Sequence, residues 1–373
     1  MSSIKTKFFN FIFLFILLFI FLISIKAFDS VLGILTGEKP SIYGNERYIH
    51  LREHSPFSKI YPPEDVCKDL SEADKRNNFL LLDKNGLIQN EAVKDNEVEI
   101  IFFGGSTTEN LCISKEKRFP NLVSAILKEK TGRNINVYNA GVSGNHALHS
   151  LLSFQAKGIK LKPDLVIFMH GINDLSLLSK TYSYWEAPRT REIIITKTQK
   201  DMFIDLAKSL LNSFLPNTRS FINKIRRNNQ VKIDEFALYR EGRKLDAYQA
   251  ETIKSEFRSA IISLIQISKS WNTQPILLTQ PNRFSRSDDE IISLYNSKSP
   301  NIDYFIFVEL YKEFNKIIKE LAINYEVPII DLESKVPKNK DYFYDSVHLN
   351  GKGNMFVAEV ISNSLESSLQ DIP

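Results

Sequence analysis

The feature that most constrains the fold is a regular alternation of strand-like and helix-like segments that begins near residue 97. Residues 98–103 (VEIIFF), 135–139 (INVYN) and 164–169 (DLVIFM) are short apolar runs bounded by turn-forming residues. Two further strand-like runs and three segments of helical apolar spacing complete the pattern: 275–279, 327–331, 119–130, 146–158 and 351–367. Apolar strands that alternate with helices form a parallel sheet covered on both faces, so an α/β fold is predicted.

A glycine-rich turn with a serine follows the first predicted strand, at residues 104–109 (GGSTTE). In open α/β sheets, ligands bind beyond the carboxyl ends of the strands. Two glycines allow a sharp turn that presents Ser106 at a helix start, where its own N–H can face an oxyanion. A plain turn followed by a Ser or Thr helix cap is the alternative. A phosphate-binding loop is disfavoured, because the Gly-Lys-Ser/Thr ending is missing.

Two more polar clusters follow the next two predicted strands, at 139–144 (NAGVSG) and 170–174 (HGIND). Gly144 would offer a backbone N–H that no side chain shields, and the Asn173 amide could donate to a carbonyl oxygen that becomes an oxyanion. One such donor is typically worth roughly 3–4 kcal/mol in the transition state. Taken singly, the first cluster is also a common turn and the second a common helix cap.

The fourth cluster, 345–348 (DSVH), precedes the last predicted helix. Asp345 and His348 are three residues apart on a short turn and can therefore hydrogen-bond to each other. Such a carboxylate fixes the imidazole tautomer and stabilises the imidazolium, as a catalytic triad requires. A lone surface histidine is the alternative. A serine is a poor nucleophile without a base, and here a base with its own orienting group is present.

Taken in order, the four clusters resemble the four sequence blocks of the SGNH/GDSL hydrolase family. The resemblance covers about residues 97–369, apart from an interruption at about 176–250. It implies a three-layer α/β/α flavodoxin-like sandwich with a parallel central sheet. It also implies acyl transfer from esters without a metal or an organic cofactor.

The resemblance assigns a role to each of five site residues. Ser106 would be the nucleophile, His348 its base and Asp345 the group that orients His348. The backbone N–H groups of Ser106 and Gly144, with the side chain of Asn173, would form the oxyanion hole.

This chain departs from the family pattern at one position, because Gly105 stands where many members have Asp. Three further histidines, His146, His149 and His170, lie outside the catalytic positions of the family. His170 lies close enough in sequence to the Asn173 loop to contact a substrate, but a structural role is expected for it.

The N-terminal residues 8–25 are almost entirely apolar. About 18 such residues can just span a bilayer as a helix, so residues 1–27 are predicted to be a signal anchor. A cleaved signal peptide remains an alternative, although the residues before Phe28 match a cleavage site poorly. A buried helix of a soluble protein is the third. Lys5 and Lys7 favour a single-pass topology with an extracytoplasmic body, and Lys26 weakens that asymmetry.

Residues 28–96 are rich in turn formers and charges and are predicted to be an irregular stalk that packs on the main domain. Within it, residues 71–82 have a helix-like pattern. The hydrolase domain is expected at 97–373. Its interruption at about 176–250 could be a lid, a surface insertion or a segment that lies on a membrane surface.

Charge and cysteine content exclude some classes of function. A net charge of +4 over 373 residues is small and argues against a nucleic-acid partner. The chain has two cysteines and neither a CxxC motif nor a Cys/His cluster, so no zinc site is expected. Cys67 and Cys112 could form a disulfide outside the cytoplasm or remain free buried thiols.

Three functions fit these observations. The first is an esterase that hydrolyses an acyl ester, with acetyl groups on an extracytoplasmic glycan as the expected substrate and a lipid ester as another. The second is a polysaccharide O-acetyltransferase that uses the same residues. The third is a non-catalytic, membrane-tethered binding or assembly module. It would be expected to lack a catalytic residue, and the sequence lacks none.

Overall fold

The structure, a computed structural model of the chain, describes residues 2–36, 45–62, 67, 78–88, 98–214, 245–285, 287–296, 302–370 and 372. The chain splits into two compact units. The first is Met1–Arg47 with Thr196–Lys224, and the second is Tyr48–Ile195 with Ile225–Pro373. The nine strands are β1 Glu46–Ile49, β2 Lys59–Ile60, β3 Leu80–Leu81, β4 Val98–Gly104, β5 Ile135–Asn139, β6 Leu165–Met169, β7 Ile194–Lys197, β8 Gln274–Leu278 and β9 Ile329–Ile330 among the described residues.

The α-helices of the described residues are α1 Ser2–Thr36, α2 Ser106–Glu109, α3 Phe119–Thr131, α4 Ala147–Ser153, α5 Ile172–Thr181, α6 Gln199–Phe214, α7 Ala247–Ser270, α8 Asp289–Asn296, α9 Tyr304–Asn324, α10 Leu332–Lys335 and α11 Gly351–Gln370. A π-helical turn, Phe154–Gly158, continues α4. The predicted helix at 146–158 is therefore confirmed as a single helical segment whose last turn is wider than an α-helical turn.

Helix α1 belongs to the first compact unit and contains a candidate membrane span, Ile16–Thr36. By length and composition it is the one helix among the described residues that could cross a bilayer. A signal sequence and a core helix of a soluble protein meet the same criterion. The apolar helix that the sequence predicts is therefore present, while its topology stays a prediction.

A five-stranded parallel sheet in the order β5-β4-β6-β8-β9 forms the centre of the second unit. Each of its three longest pairings is in continuous register, with Ile100 of β4 opposite Leu165 of β6, for example. Because all strands run in the same direction, their carboxyl ends share one edge of the sheet, and the loops after β4, β5 and β6 meet there.

Successive residues of the strands pack into two separate cores, since side chains alternate between the faces of a sheet. Ile101 and Phe103 lie in one core, which α4, α5, α7 and α9 cover. Ile100 and Phe102 lie in the other, which α3 and α11 cover. Two helical layers thus enclose the sheet, and the predicted three-layer α/β/α sandwich is confirmed.

The predicted helix at 71–82 is wrong where the structure describes it. Leu80 and Leu82 are buried while Leu81 is 44% exposed, which is the two-residue alternation of a strand. Leu80 and Leu81 form β3, which pairs antiparallel with β2. Residues 68–77 lie outside the described residues.

Within the second unit, residues that precede the parallel sheet contact residues that follow β4. Cys67 and Cys112 form a disulfide, so that of the two alternatives for the cysteines the bonded one is present. The buried Arg118 donates through Nη2 to Asn78 Oδ1 at 2.9 Å.

The predicted start of the interruption at residue 176 falls inside α5, and residues 215–244 lie outside the described residues. Its role as a lid and the predicted domain boundaries stay predictions.

Candidate active site

The turn between β4 and α2 presents Ser106 at the edge of the sheet. Gly104 and Gly105 are required because a Cβ at Gly104 would stand 2.8 Å from the Met169 carbonyl oxygen, and one at Gly105 would stand 2.1 Å from Asn173 Nδ2. Ser106 is the first residue of α2. Its backbone N–H therefore has no preceding helical carbonyl to bond and can face a ligand.

Three side chains form one hydrogen-bonded chain at this edge. His348 Nε2 lies 2.8 Å from Ser106 Oγ, and His348 Nδ1 lies 2.6 Å from Asp345 Oδ2. Asp345 Oδ1 accepts the backbone N–H groups of Val347 at 2.9 Å and His348 at 2.8 Å. Both carboxylate oxygens thus bond within a four-residue turn, as the DSVH spacing predicts.

Hydrogen bonding keeps Asp345 ionised. Burial alone would raise its pKa, but the bonds from the His348 ring and from the backbone N–H groups of Val347 and His348 outweigh burial and lower the pKa below its ordinary value. A carboxylate beside Nδ1 makes that nitrogen the donor. Nε2 is then the acceptor that faces the Ser106 hydroxyl.

The loop that carries His348 is held from several sides. The Tyr344 ring stacks on the imidazole, with a centroid separation of 5.4 Å and an interplanar angle of 9°. The Tyr344 N–H donates to the His348 carbonyl at 3.0 Å, and the Arg283 N–H donates to the Ser346 carbonyl at 2.7 Å. The imidazole is therefore oriented before any substrate binds.

The two remaining predicted donors lie on neighbouring loops. Asn173 is the second residue of α5, and its Nδ2 is packed against Gly105 and donates to the Asn145 carbonyl at 2.9 Å. Gly144 has φ +79°, which is unfavourable for any residue with a Cβ. Its loop joins β4 through a bond from the Val142 N–H to the Gly104 carbonyl.

A cavity of about 250 Å³ opens beside the serine. Ser106, Asn173 and His348 line one part of it, and apolar side chains that include Phe284 and Phe307 line another. An ester whose carbonyl lies at Ser106 would thus have both polar and apolar surface beside it.

Three histidines named in the sequence analysis form a separate buried group. His146, His149 and His170 are each 2% exposed or less, and the His146 and His149 rings stack at 3.7 Å. Burial lowers the pKa of His149 and of His170 to about 3. Asp174, which accepts from Tyr184 Oη at 2.6 Å, has a pKa raised by burial to about 6.

Within the described ranges, no group of three or more His, Cys, Asp or Glu side chains is arranged to hold a metal ion. The expectation that the chemistry needs no cofactor stays a prediction.

Sequence reasoning assigned no role to three residues that contact or adjoin the 139–144 (NAGVSG) loop: Arg52, Glu109 and Asn145. Arg52 Nη1 donates to Asn145 Oδ1 at 2.8 Å, and Ser143 Oγ donates to Glu109 Oε2. Asn145 directly follows the NAGVSG cluster and Glu109 is the last residue of α2, so proximity to a motif was a usable signal for both. No local pattern marks Arg52.

Comparison with known proteins places this chain in a family. A model of the GDSL-like lipase/acylhydrolase family matches residues 102–355. No curated protein matches the sequence. Similar solved structures include a lipase/acylhydrolase from Enterococcus faecalis, 16% identical, which covers 73% of this chain and 96% of its own with a TM-score of 0.43.

Two other solved structures are similarly distant. An acetylxylan esterase from Geobacillus stearothermophilus is 15% identical, with 72% of this chain and 94% of that chain covered and a TM-score of 0.42. A GDSL-like lipase from Bacteroides thetaiotaomicron is 16% identical, with 75% and 93% covered and a TM-score of 0.39. The family match contains all four polar clusters and extends over more than half of the sequence, so the chain belongs to the GDSL-like lipase/acylhydrolase family.

Proposed function

We propose that this protein is a membrane-anchored serine esterase in which Ser106, His348 and Asp345 are the catalytic triad. The observation that carries the proposal is the continuous hydrogen-bonded chain from Asp345 Oδ2 through His348 to Ser106 Oγ, with distances of 2.6 and 2.8 Å. A hydroxyl whose proton can pass to an oriented imidazole is an activated nucleophile.

The proposed reaction proceeds through an acyl-enzyme. Ser106 Oγ attacks the ester carbonyl while His348 Nε2 takes the hydroxyl proton, and Asp345 stabilises the resulting imidazolium. The carbonyl oxygen becomes an oxyanion that accepts from the N–H groups of Ser106 and Gly144 and from Asn173 Nδ2. His348 then gives its proton to the leaving alcohol. Water then attacks the acyl-enzyme while His348 Nε2 takes its proton, and His348 returns that proton to Ser106 Oγ as the acid is released.

The proposed substrate is an acyl ester, and an acetyl ester on an extracytoplasmic glycan is the first candidate. Two features support a location outside the cytoplasm: the candidate span in α1, and the disulfide between Cys67 and Cys112, which suits an oxidising compartment. The cavity of about 250 Å³ leaves room beside Ser106 for the acyl group and the alcohol.

Hydrolysis of p-nitrophenyl acetate by the full chain tests this proposal. Ser106→Ala should reduce the rate to background, because the triad acts as a unit and its loss typically costs about 10⁶-fold in kcat. Ser270→Ala is the matched control, since this exposed hydroxyl at the end of α7 bonds only to the Ile267 carbonyl within the described residues. An unchanged rate in Ser106→Ala would exclude Ser106 as the nucleophile and with it the proposed triad.

Acyl transfer to a sugar is the second candidate, because the same acyl-enzyme can be attacked by a sugar hydroxyl instead of water. The cavity favours testing it, since Ser176 and Lys180 on α5 add polar groups to its lining that suit a hydroxylated acceptor. Product analysis with an acetyl donor and a panel of oligosaccharides separates the two reactions. Free acetate alone indicates an esterase, and acetylated sugar indicates a transferase.

A further inference from the structure

Arg52 lies in the segment expected to be a stalk and outside the family match at residues 102–355. Its guanidinium nevertheless reaches the loop after β5. Nη1 donates to the Ser143 carbonyl at 2.5 Å and to Asn145 Oδ1 at 2.8 Å, and Nε donates to the Thr190 carbonyl at 3.1 Å. One side chain thus joins the residues on both sides of Gly144 to a distant part of the chain.

Asn145 extends this connection to the second oxyanion donor. Its Nδ2 donates to the Arg52 carbonyl at 3.0 Å, so that Arg52 and Asn145 bond through both main chain and side chain. The Asn145 carbonyl in turn accepts from Asn173 Nδ2 at 2.9 Å. A movement of Arg52 would therefore shift the carbonyl that orients the Asn173 amide.

Gly144 itself lies under the guanidinium. A Cβ at Gly144 would stand 3.2 Å from both Arg52 Nη1 and Nη2, so the arginine covers one side of this residue. The Ser143 carbonyl, which shares a peptide group with the Gly144 N–H, accepts from Arg52 Nη1, while the Asn145 N–H donates to the Val142 carbonyl at 2.9 Å. The bond from Arg52 to the Ser143 carbonyl therefore restrains the peptide group that carries the Gly144 N–H.

A second tie from the same segment joins the loop to the serine helix. Glu109, the last residue of α2, is 2% exposed. Its Oε1 lies 2.9 Å from His54 Nε2, and its Oε2 accepts from Ser143 Oγ. Residues 52–54 therefore contact both α2, which begins at Ser106, and the loop that carries Gly144.

We propose that Arg52 is a positioning residue that holds Gly144 and Asn173 as a preformed oxyanion hole. This role rests on the proposed function. Arginine suits it because a planar guanidinium can bond several acceptors in fixed directions, whereas a lysine ammonium is a point charge on a flexible stem. The segment before the family domain is thereby part of the active-site architecture.

The test compares Arg52→Ala and Arg52→Lys with wild type in p-nitrophenyl acetate hydrolysis. A misplacement of about 1 Å in a catalytic group costs about 10²-fold in rate, so Arg52→Ala should lower kcat by roughly 10- to 100-fold with little change in KM. Arg52→Lys should fall between Arg52→Ala and wild type. Arg258→Ala is the control, since this half-exposed arginine bonds Glu320 at 2.7 Å between α7 and α9.

A transition-state analogue separates positioning from a general loss of structure. An aryl trifluoromethyl ketone forms a serine adduct that carries an oxyanion, so its Ki should rise in Arg52→Ala by about the factor by which kcat falls. Adding Asn145→Ala to Arg52→Ala should lower kcat no further than the worse single change, because both residues act through one connection.

Several results would overturn the proposal. A wild-type kcat in Arg52→Ala would do so whatever its melting temperature, and so would a raised KM with an unchanged kcat. A folded Arg52→Ala variant whose kcat falls while its Ki stays unchanged would exclude the positioning role, and fully additive losses in the double variant would exclude the connection through Asn145. Wild-type activity in Ser106→Ala would instead remove the proposed function, and this role with it.

Discussion

His348 and the buried histidines of the same unit show how the environment of an imidazole decides what it can do. The side chain of His348 is 24% exposed, bonds a carboxylate through Nδ1 and faces a hydroxyl and a cavity through Nε2. His146 and His170 are nine-tenths buried or more and, among the described residues, have ring nitrogens without hydrogen-bond partners. The side-chain type is the same, but of these histidines His348 is the one placed between a carboxylate and a hydroxyl.

The difference is electrostatic. Burial without a close anionic partner disfavours the charged form, which is why the pKa of His170 falls to about 3. Asp174 Oδ2 lies 3.8 Å from His170 Nδ1, and Asp174 Oδ1 accepts from Tyr184 Oη and from the Ala147 N–H. The buried group therefore serves packing, and a short turn with an ionised aspartate is what makes His348 a candidate base.

Asp345→Asn tests this contrast most severely, because it removes the carboxylate that distinguishes His348 from the buried histidines. An amide permits the wrong imidazole tautomer, and such a change typically lowers kcat by about 10⁴-fold. Hydrolysis of p-nitrophenyl acetate measures it. Asp341→Asn is the control, since Asp341 is exposed in the same loop and pairs with Lys352. Equal rates in both variants would mean that the carboxylate does not orient the base.

Asn173→Ala removes a donor without touching either group of histidines. The kcat should fall by roughly 10²–10³-fold while KM changes little, because the hydrogen bond from the Asn173 side-chain amide strengthens only as the oxyanion forms. Asn363→Ala, an exposed asparagine on α11 that bonds Lys130, should leave both constants unchanged. A rise in KM alone would assign Asn173 to substrate binding.

Gly105→Ala asks how closely the serine turn is fitted to its surroundings. The added Cβ would stand 2.1 Å from Asn173 Nδ2, so the amide must move and kcat should drop by roughly 10- to 100-fold. Gly132→Ala is the control, because Gly132 also ends a secondary-structure element but has open space around the new Cβ. It should cost stability through its φ of +70° and leave kcat unchanged. A larger loss of kcat in Gly132→Ala than in Gly105→Ala would show that the serine turn is loosely packed.

The buried histidines should affect folding rather than turnover. Between pH 6.5 and 3 the unfolded chain protonates His149 and His170 while the folded chain does not, so stability falls as pH falls, by up to about 1.4 kcal/mol per pH unit for each. Asp174, with its raised pKa of about 6, acts in the opposite direction between pH 6 and 3.8 and offsets one histidine.

Denaturant unfolding across this pH range measures the effect. His149→Phe should flatten the decline in unfolding free energy while kcat at neutral pH stays near that of wild type. An unchanged slope would show that His149 already binds a proton in the folded state. A loss of kcat as large as that of Asp345→Asn would remove the distinction between the two groups.

Much of this fold is encoded locally. Residues 98–103, 135–139 and 164–169 match β4, β5 and β6 to within one residue, because strands buried on both faces are continuous apolar runs. The DSVH turn is equally local, since both bonding partners lie within four residues. Sequence spacing alone therefore predicts the contact between Asp345 and His348.

Features that depend on distant parts of the chain were not predictable in the same way. Leu80–Leu81 adopts a strand because β2 pairs with it, and no helical or strand period in so short a run could decide that. The bond between Cys67 and Cys112 spans 45 residues. Arg52 lies in an unpatterned segment, and its contacts depend on the loop at 143–145 reaching it in the folded chain.

The most direct test of the central claim is labelling with a fluorophosphonate, followed by mass-spectrometric mapping of the modified residue. The probe reacts with a serine only when a base and an oxyanion hole activate it. We expect one modified serine, Ser106, in the wild-type protein and no labelling in His348→Ala. Modification of another serine, or labelling of Ser106 that persists unchanged in His348→Ala, would contradict the account.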